Sequence, residues 1–111
     1  MDELREVPII ARGKRYSVSR NGREIARVRM IFVENDLHEK PYALIEDLHV
    51  SEECRGQGVG TSLVQRLIED AKKSGCTKII ATSRLSRENI HSFYENNDLK
   101  RYGFEFRKDL K

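Results

Sequence analysis

The segment Cys54-Arg55-Gly56-Gln57-Gly58-Val59-Gly60-Thr61 sets three alternating glycines beside an arginine, just ahead of an amphipathic stretch. Glycine lets a backbone turn several N–H groups toward one point. A helix start adds donors that lack partners and a partial positive charge. Such a turn suits a phosphate or pyrophosphate, and Arg55 places a charged fork at its edge. Two well-known phosphate loops are excluded. The dinucleotide fingerprint needs a third glycine where Thr61 stands, and the Gly-Lys-Ser/Thr of the ATP loop occurs nowhere. Cys54 has no base partner that would make it a nucleophile, so it reads as a packing residue.

The turn needs a strand before it and a helix after it. Tyr42 to Val50 reads as the strand. Leu63, Val64, Leu67, Ile68 and Ala71 fall at helical spacing. Ser74-Gly75 ends that helix, with Gly75 suited to a left-handed cap. Cys76 to Thr82 is then expected as a short strand, Arg87 to Asn96 as a second helix, and Tyr102 to Arg107 as a closing strand. Upstream, Tyr16–Ser19 and Ile25–Val33 flank Asn21-Gly22, a hairpin signal because both turn residues need positive φ. Val7 to Ala11 is expected as an edge strand, where Pro8 is tolerated. The fold class is α/β (α+β): a mixed, mostly antiparallel sheet, two main helices and one right-handed β-α-β crossover.

Composition narrows the classes. The 111 residues are 38% hydrophobic, enough for one modest core, so a single domain over 1–111 is expected. The net charge is +3 with both signs interspersed, which argues against a nucleic-acid partner or a polybasic membrane anchor and leaves room for an anionic small ligand. No apolar run approaches the ~18 residues of a membrane span. The acidic opening, MDELREVPII, does not resemble a secretory signal. Cys54 and Cys76 lie far apart in no metal-ligand pattern, so reduced thiols, no metal and a cytoplasmic setting are expected.

From Val50 through Leu63, Val50-Ser51-Glu52-Glu53-Cys54-Arg55-Gly56-Gln57-Gly58-Val59-Gly60-Thr61-Ser62-Leu63 resembles the acetyl-CoA motif of the GNAT (GCN5-related) N-acetyltransferases. Arg87-Glu88-Asn89-Ile90-His91-Ser92-Phe93-Tyr94-Glu95 is similar to that family's Asn-x-x-x-x-Phe-Tyr segment. The resemblance covers about Ala43 to Lys108. Within the family, the Ile45–Val50 and Gly75–Ile80 stretches are similar to glucosamine-6-phosphate acetyltransferases. Two departures stand out. Members usually carry two helices between their first two strands, and this chain has no room for them, which leaves the acceptor pocket open or completed by a second subunit. Asn97-Asp98-Leu99 stands where members usually have Leu-Gly-Phe, so a differently built loop is expected there.

The resemblance implies acetyl transfer from acetyl-CoA to a primary amine by direct nitrogen attack on the thioester. Backbone N–H groups of Gln57 to Thr61, with Gly58, Val59 and Gly60 between them and Arg55 and Gly56 at the edge, would hold the pyrophosphate. The pantetheine arm would run between the Leu44–Val50 and Cys76–Thr82 strands, bonded by backbone at Leu48, His49 and Val50, with Asn89 touching it from the second helix. Tyr94 matches the tyrosine that protonates the leaving sulfur. The candidate bases are Glu46 and Asp47, which strand alternation places on opposite faces, and His49. A small core and the family habit make a homodimer an expectation. An acyl-CoA-binding sensor that has lost catalysis is the alternative.

Overall fold

The computed structural model describes residues 2–111. Strand β1 (Arg12–Arg20) turns back through Asn21 (φ 52°) and Gly22 (φ 78°) into β2 (Arg23–Val33). This two-residue turn twists with the strands it joins and leaves no space for a helix. Strand β3 (Tyr42–Val50) pairs antiparallel with β2, and a single 3₁₀ turn (Glu52–Cys54) precedes helix α1 (Val59–Lys73). The chain returns as β4 (Ile79–Ala81), parallel to β3, and ends its regular structure in α2 (Glu88–Asn96). The sheet order is β1-β2-β3-β4, so the mixed sheet and the two main helices are as the sequence indicates.

One side of this sheet makes the core. Ala26, Val28, Met30 and Phe32 alternate inward along β2 and meet Ala43 and Ile45 of β3 and Leu63, Leu67 and Ala71 of α1. Full burial of a side chain such as Phe32, Met30 or Leu67 stabilises by about 1.5–3 kcal/mol. Arg27 and Arg29 point to the opposite face because a strand alternates.

Both helices close with the same backbone device. After α1, Gly75 (φ 79°) lets its own N–H reach Lys72 O and the Cys76 N–H reach Ala71 O, each at 3.0 Å. After α2, Asp98 (φ 68°) takes that left-handed position, and the N–H groups of Asp98 and Leu99 reach Glu95 O and Tyr94 O at 3.1 Å. The missing glycine is thus replaced by a short polar residue that tolerates positive φ. Asn97, buried at this corner, bonds Gln65 of α1 and Phe93 O.

Three expectations are corrected. The fourth strand covers Ile79–Ala81 and not Cys76–Thr82, because the Cys76 N–H closes the α1 cap and the Thr77 N–H goes to Pro41 O. Val7 to Ala11 is exposed and forms no strand. Tyr102 to Arg107 is also exposed and pairs with no strand among the described residues. No helix among the described residues is long and apolar enough to cross a membrane.

A polar clamp ties β1 to α1. The Tyr16 hydroxyl donates to Asp70 Oδ2 at 2.7 Å, and Arg66 Nε bonds both Asp70 oxygens at 3.1 Å. Desolvation, then the bond to the Asp70 carboxylate, pushes the Tyr16 phenol up to about 12 from 10.0. A raised phenol pKa favours the fold fully below pH 10, and that contribution is lost as pH climbs toward 12. Chemical denaturation across that range should show falling stability in the native protein and a flatter profile in Tyr16→Phe.

Candidate active site

The site forms where β3 and β4 part. They pair only at Ala43–Ile79, Leu44–Ile80 and Ile45–Ala81, so β3 runs on from Glu46 to Val50 with β2 on one side and an open edge on the other. In the same stretch β3 carries an extra residue. Arg27 faces His49 and Arg29 faces Glu46, so Val28 alone opposes both Asp47 and Leu48. Asp47 absorbs the surplus at φ 56°. Ile45 and Leu48 both pack on the core, although three positions apart.

This bulge overturns the alternation argument for the two acids. Glu46 opposes Arg29 across the ladder, and opposed residues share a face. Asp47 bonds Arg29 Nη1 at 2.8 Å and Arg27 Nε at 3.1 Å. Both carboxylates therefore lie on the face away from α1, where His49 is exposed as well. The Arg27 hydrogen bond, with both guanidinium charges, holds Asp47 below the usual carboxylate range. The pattern Arg27-Val28-Arg29 was visible in the sequence, but its partner was not, because the bulge decides it.

The backbone of the open edge is directed by the same count. The Ser51 N–H donates to Ile25 O at 2.8 Å on the β2 side. By alternation the N–H groups of Val50 and Leu48 point to the open side. Val50 O, on that side too, accepts Arg55 Nε at 3.0 Å. Arg55 thereby ties the glycine turn to the end of β3.

The turn itself has the expected form. Gly56 (φ 77°) and Gly58 (φ 83°) are left-handed, and a Cβ built on either would meet nothing within 4 Å. The Ser62 N–H bonds Gly58 O at 3.0 Å, so the preceding N–H groups of Val59, Gly60 and Thr61 have no acceptor one turn back. Gly58, the N-cap, offers no side chain to them. Gly60 lies close under α2: a Cβ there would stand 3.4 Å from the Phe93 ring and 3.6 Å from Val50 Cγ2. Gln57 points away, its amide held by Arg20 at 3.1 Å and by Glu53 O at 3.3 Å. Cys54 is buried, as a packing residue should be.

Tyr94, on α2, packs against the core beside Phe93, with ring centres 5.4 Å apart. Burial pushes its phenol above 10.0, opposed by the Arg87 cation and reinforced by the Glu46 carboxylate. Tyr94 and Glu46 are thus within electrostatic reach of each other. Asn89 is exposed on the first turn of α2. Ser83 Oγ, two residues past β4, is buried without a partner. Among the described residues no three His, Cys, Asp or Glu side chains cluster as a metal site. Concavities of about 330 Å³ by Arg20, Ile25 and Cys54 and about 370 Å³ by His38, Tyr42 and Lys78 lie off the gap.

The site therefore combines an open strand edge, a glycine turn whose first N–H groups lack acceptors and a half-buried phenol. The sequence model of the Acetyltransferase (GNAT) family matches residues 3–98, and the chain belongs to that family. It is 47% identical over 36 residues to a protein of Oryza sativa subsp. japonica assigned as glucosamine 6-phosphate N-acetyltransferase 2; the match spans 32% of this chain and 22% of that protein. Among solved structures, a protein of Agrobacterium tumefaciens str. C58 assigned as an acetyltransferase is 28% identical, with a TM-score of 0.78 over 86% of this chain and 69% of its own. An acetyltransferase from Trypanosoma brucei is 25% identical, with a TM-score of 0.76 over 90% of this chain and 69% of its own. Glucosamine-6-phosphate N-acetyltransferase from Arabidopsis thaliana, 23% identical, shares the fold at a TM-score of 0.72 over 81% of this chain and 60% of its own. Family and neighbours agree on the acetyltransferase (GNAT) fold.

The bulge yields a test. Asp47→Asn keeps a side chain that accepts positive φ and should leave stability nearly unchanged, because exposed ion pairs are weak. Asp47→Val, which resists positive φ, should cost about 1–2 kcal/mol. Urea denaturation of both variants measures the difference. Equal losses would remove the backbone role assigned to Asp47.

Proposed function

We propose that the chain is an acetyl-CoA-dependent N-acetyltransferase acting on a primary amine of a small molecule or peptide. The observation that carries this reading is the unpaired N–H edge of β3 at Leu48 and Val50, joined by Arg55 to the turn that frees the N–H groups of Val59 to Thr61. Acetyl-CoA supplies an activated acyl carbon and a thiolate leaving group. The N–H groups of the turn grip the pyrophosphate, and the open space before Gly56 and Gly58 admits it. The Leu48 N–H polarises the thioester oxygen; one such preorganised donor contributes about 3–4 kcal/mol to the barrier.

Glu46 takes the proton from the acceptor ammonium, directly or through a water. Asp47 suits that task less, because two guanidiniums stabilise its charge and weaken it as a base. The freed amine nitrogen bonds to the acyl carbon, the carbon–sulfur bond breaks, Tyr94 gives its proton to the departing thiolate, and the surplus proton on the new amide nitrogen passes through water to restore the phenol. A phenol held above its ordinary range remains protonated at neutral pH and so can donate.

Two variants test the assignment. Gly58→Glu places bulk and negative charge in the cradle and should abolish coenzyme A binding by calorimetry while the circular dichroism stays native; unchanged affinity would refute the turn as the donor site. Tyr94→Phe should lower thiol release from acetyl-CoA at least tenfold with little change in donor affinity, and full turnover would exclude the phenol as acid. Amino sugars, polyamines, amino acids and peptide N-termini are the acceptors to try. Donor binding with no thiol release from any of them would favour a non-catalytic acyl-CoA-binding module.

A further inference from the structure

The two faces of the sheet are unequal. α1 and Tyr94 of α2 pack on the face that holds Val28, Met30 and Ile45. The opposite face carries two rows that run across the strands. In one row Arg29 of β2 stands opposite Glu46 of β3. In the next, Ile31 stands opposite Leu44, and Leu44 opposite Ile80 of β4. Each of these five residues adjoins a core-packed residue on its own strand, so alternation puts all five on the face away from α1. The three apolar side chains there are only half-buried.

Most charges on this face are already neutralised. Arg15, opposite Arg29, holds Glu24 with both Nη atoms, at 2.8 and 2.9 Å. Arg27 gives Nε and Nη2 to Asp47. Arg29 gives Asp47 only Nη1, and its side chain is 48% exposed. Its Nε and Nη2 have no acceptor among the described hydrogen bonds, and Glu46 has no cation among the described ion pairs. A free carboxylate and a half-engaged guanidinium thus face each other across one rung of the ladder, beside an apolar row.

We propose that the acceptor at this site is an aliphatic α-amino acid of the leucine type. Its ammonium meets Glu46, its carboxylate takes the free N–H groups of Arg29, and its side chain lies over Ile31, Leu44 and Ile80. Leu44 and Glu46 stand two residues apart, roughly 7 Å along β3, so one small molecule touches both. Amino sugars and polyamines bring no apolar side chain, and a peptide N-terminus has an amide where the carboxylate should be. Tyr94 packs on the other face, so the amine arrives from one side of the sheet and the thiolate leaves toward the other. The transfer yields the N-acetyl amino acid and free coenzyme A thiol, with one proton released to solvent. This inference rests on the acetyl-transfer reading and names its acceptor.

Thiol release from acetyl-CoA is measured with L-leucine, L-alanine, L-leucinol and glucosamine, in the native protein and in Arg29→Gln. Leucinol keeps the amine and the side chain but has a hydroxymethyl group for the carboxylate. In the native protein leucine should exceed alanine in kcat/KM by about tenfold or more, for the missing side-chain carbons. It should exceed leucinol by about tenfold, for the lost charge-assisted bond. Arg29→Gln should raise KM for leucine until it matches that for leucinol, with kcat near native. A loss equal for both substrates would mean that Arg29 acts only through Asp47, and would overturn its role as the carboxylate site. The native comparison stands whether or not the variant folds. Native turnover of glucosamine or leucinol at or above that of leucine overturns this proposal and leaves acetyl transfer standing. Coenzyme A binding with no thiol release from any of the four overturns both.

Discussion

The site depends on how β3 spends its backbone hydrogen bonds. Up to Ile45 the strand serves β2 and β4 together. Beyond Ile45 it keeps β2 and gives up β4, and an extra residue enters at Asp47. A buried sheet normally cannot leave one edge unpaired, because orphaned N–H and C=O groups cost free energy. Here Val50 O is met by Arg55, while the Leu48 and Val50 N–H groups face the open side. The surplus residue also returns Leu48 and Val50 to the core face, so the strand stays anchored while its edge is free.

The charges around this opening are arranged to hold shape. Asp47 sits in a strained conformation and is clasped by Arg27 and Arg29, which fixes the bulge and spends the Asp47 charge. Glu46, next to it, makes no such pair among the described ion pairs, and its carboxylate adds to the rise of the Tyr94 phenol. At the turn, Arg20 and Glu53 O hold Gln57 aside, so the space before Gly56 and Gly58 stays open. Phe93 packing against Gly60 sets α2, and with it Tyr94, relative to the turn.

Much of this was legible in the residues. Tyr42–Val50 begins and ends where its apolar pattern says, Asn21-Gly22 makes its hairpin, and Gly75 closes α1. The misses have physical causes. A bulge follows from the match between two strands, so no local pattern could reveal that Glu46 and Asp47 share a face. The start of β4 was lost to the cap of α1, a competition for the Cys76 N–H. Tyr102–Arg107 has the right period for a strand, but a strand also needs a neighbour, and it pairs with none among the described residues. Asp98 shows the reverse case: the glycine is missing from the sequence, yet the left-handed turn is made.

An amide-resolved NMR titration with coenzyme A addresses the central claim most directly. If the freed edge of β3 and the glycine turn together hold the donor, the amide signals of Leu48, Val50 and Val59 to Thr61 move first and saturate on one binding curve. If those amides stay fixed while others shift, or if nothing moves at millimolar ligand, the account is wrong.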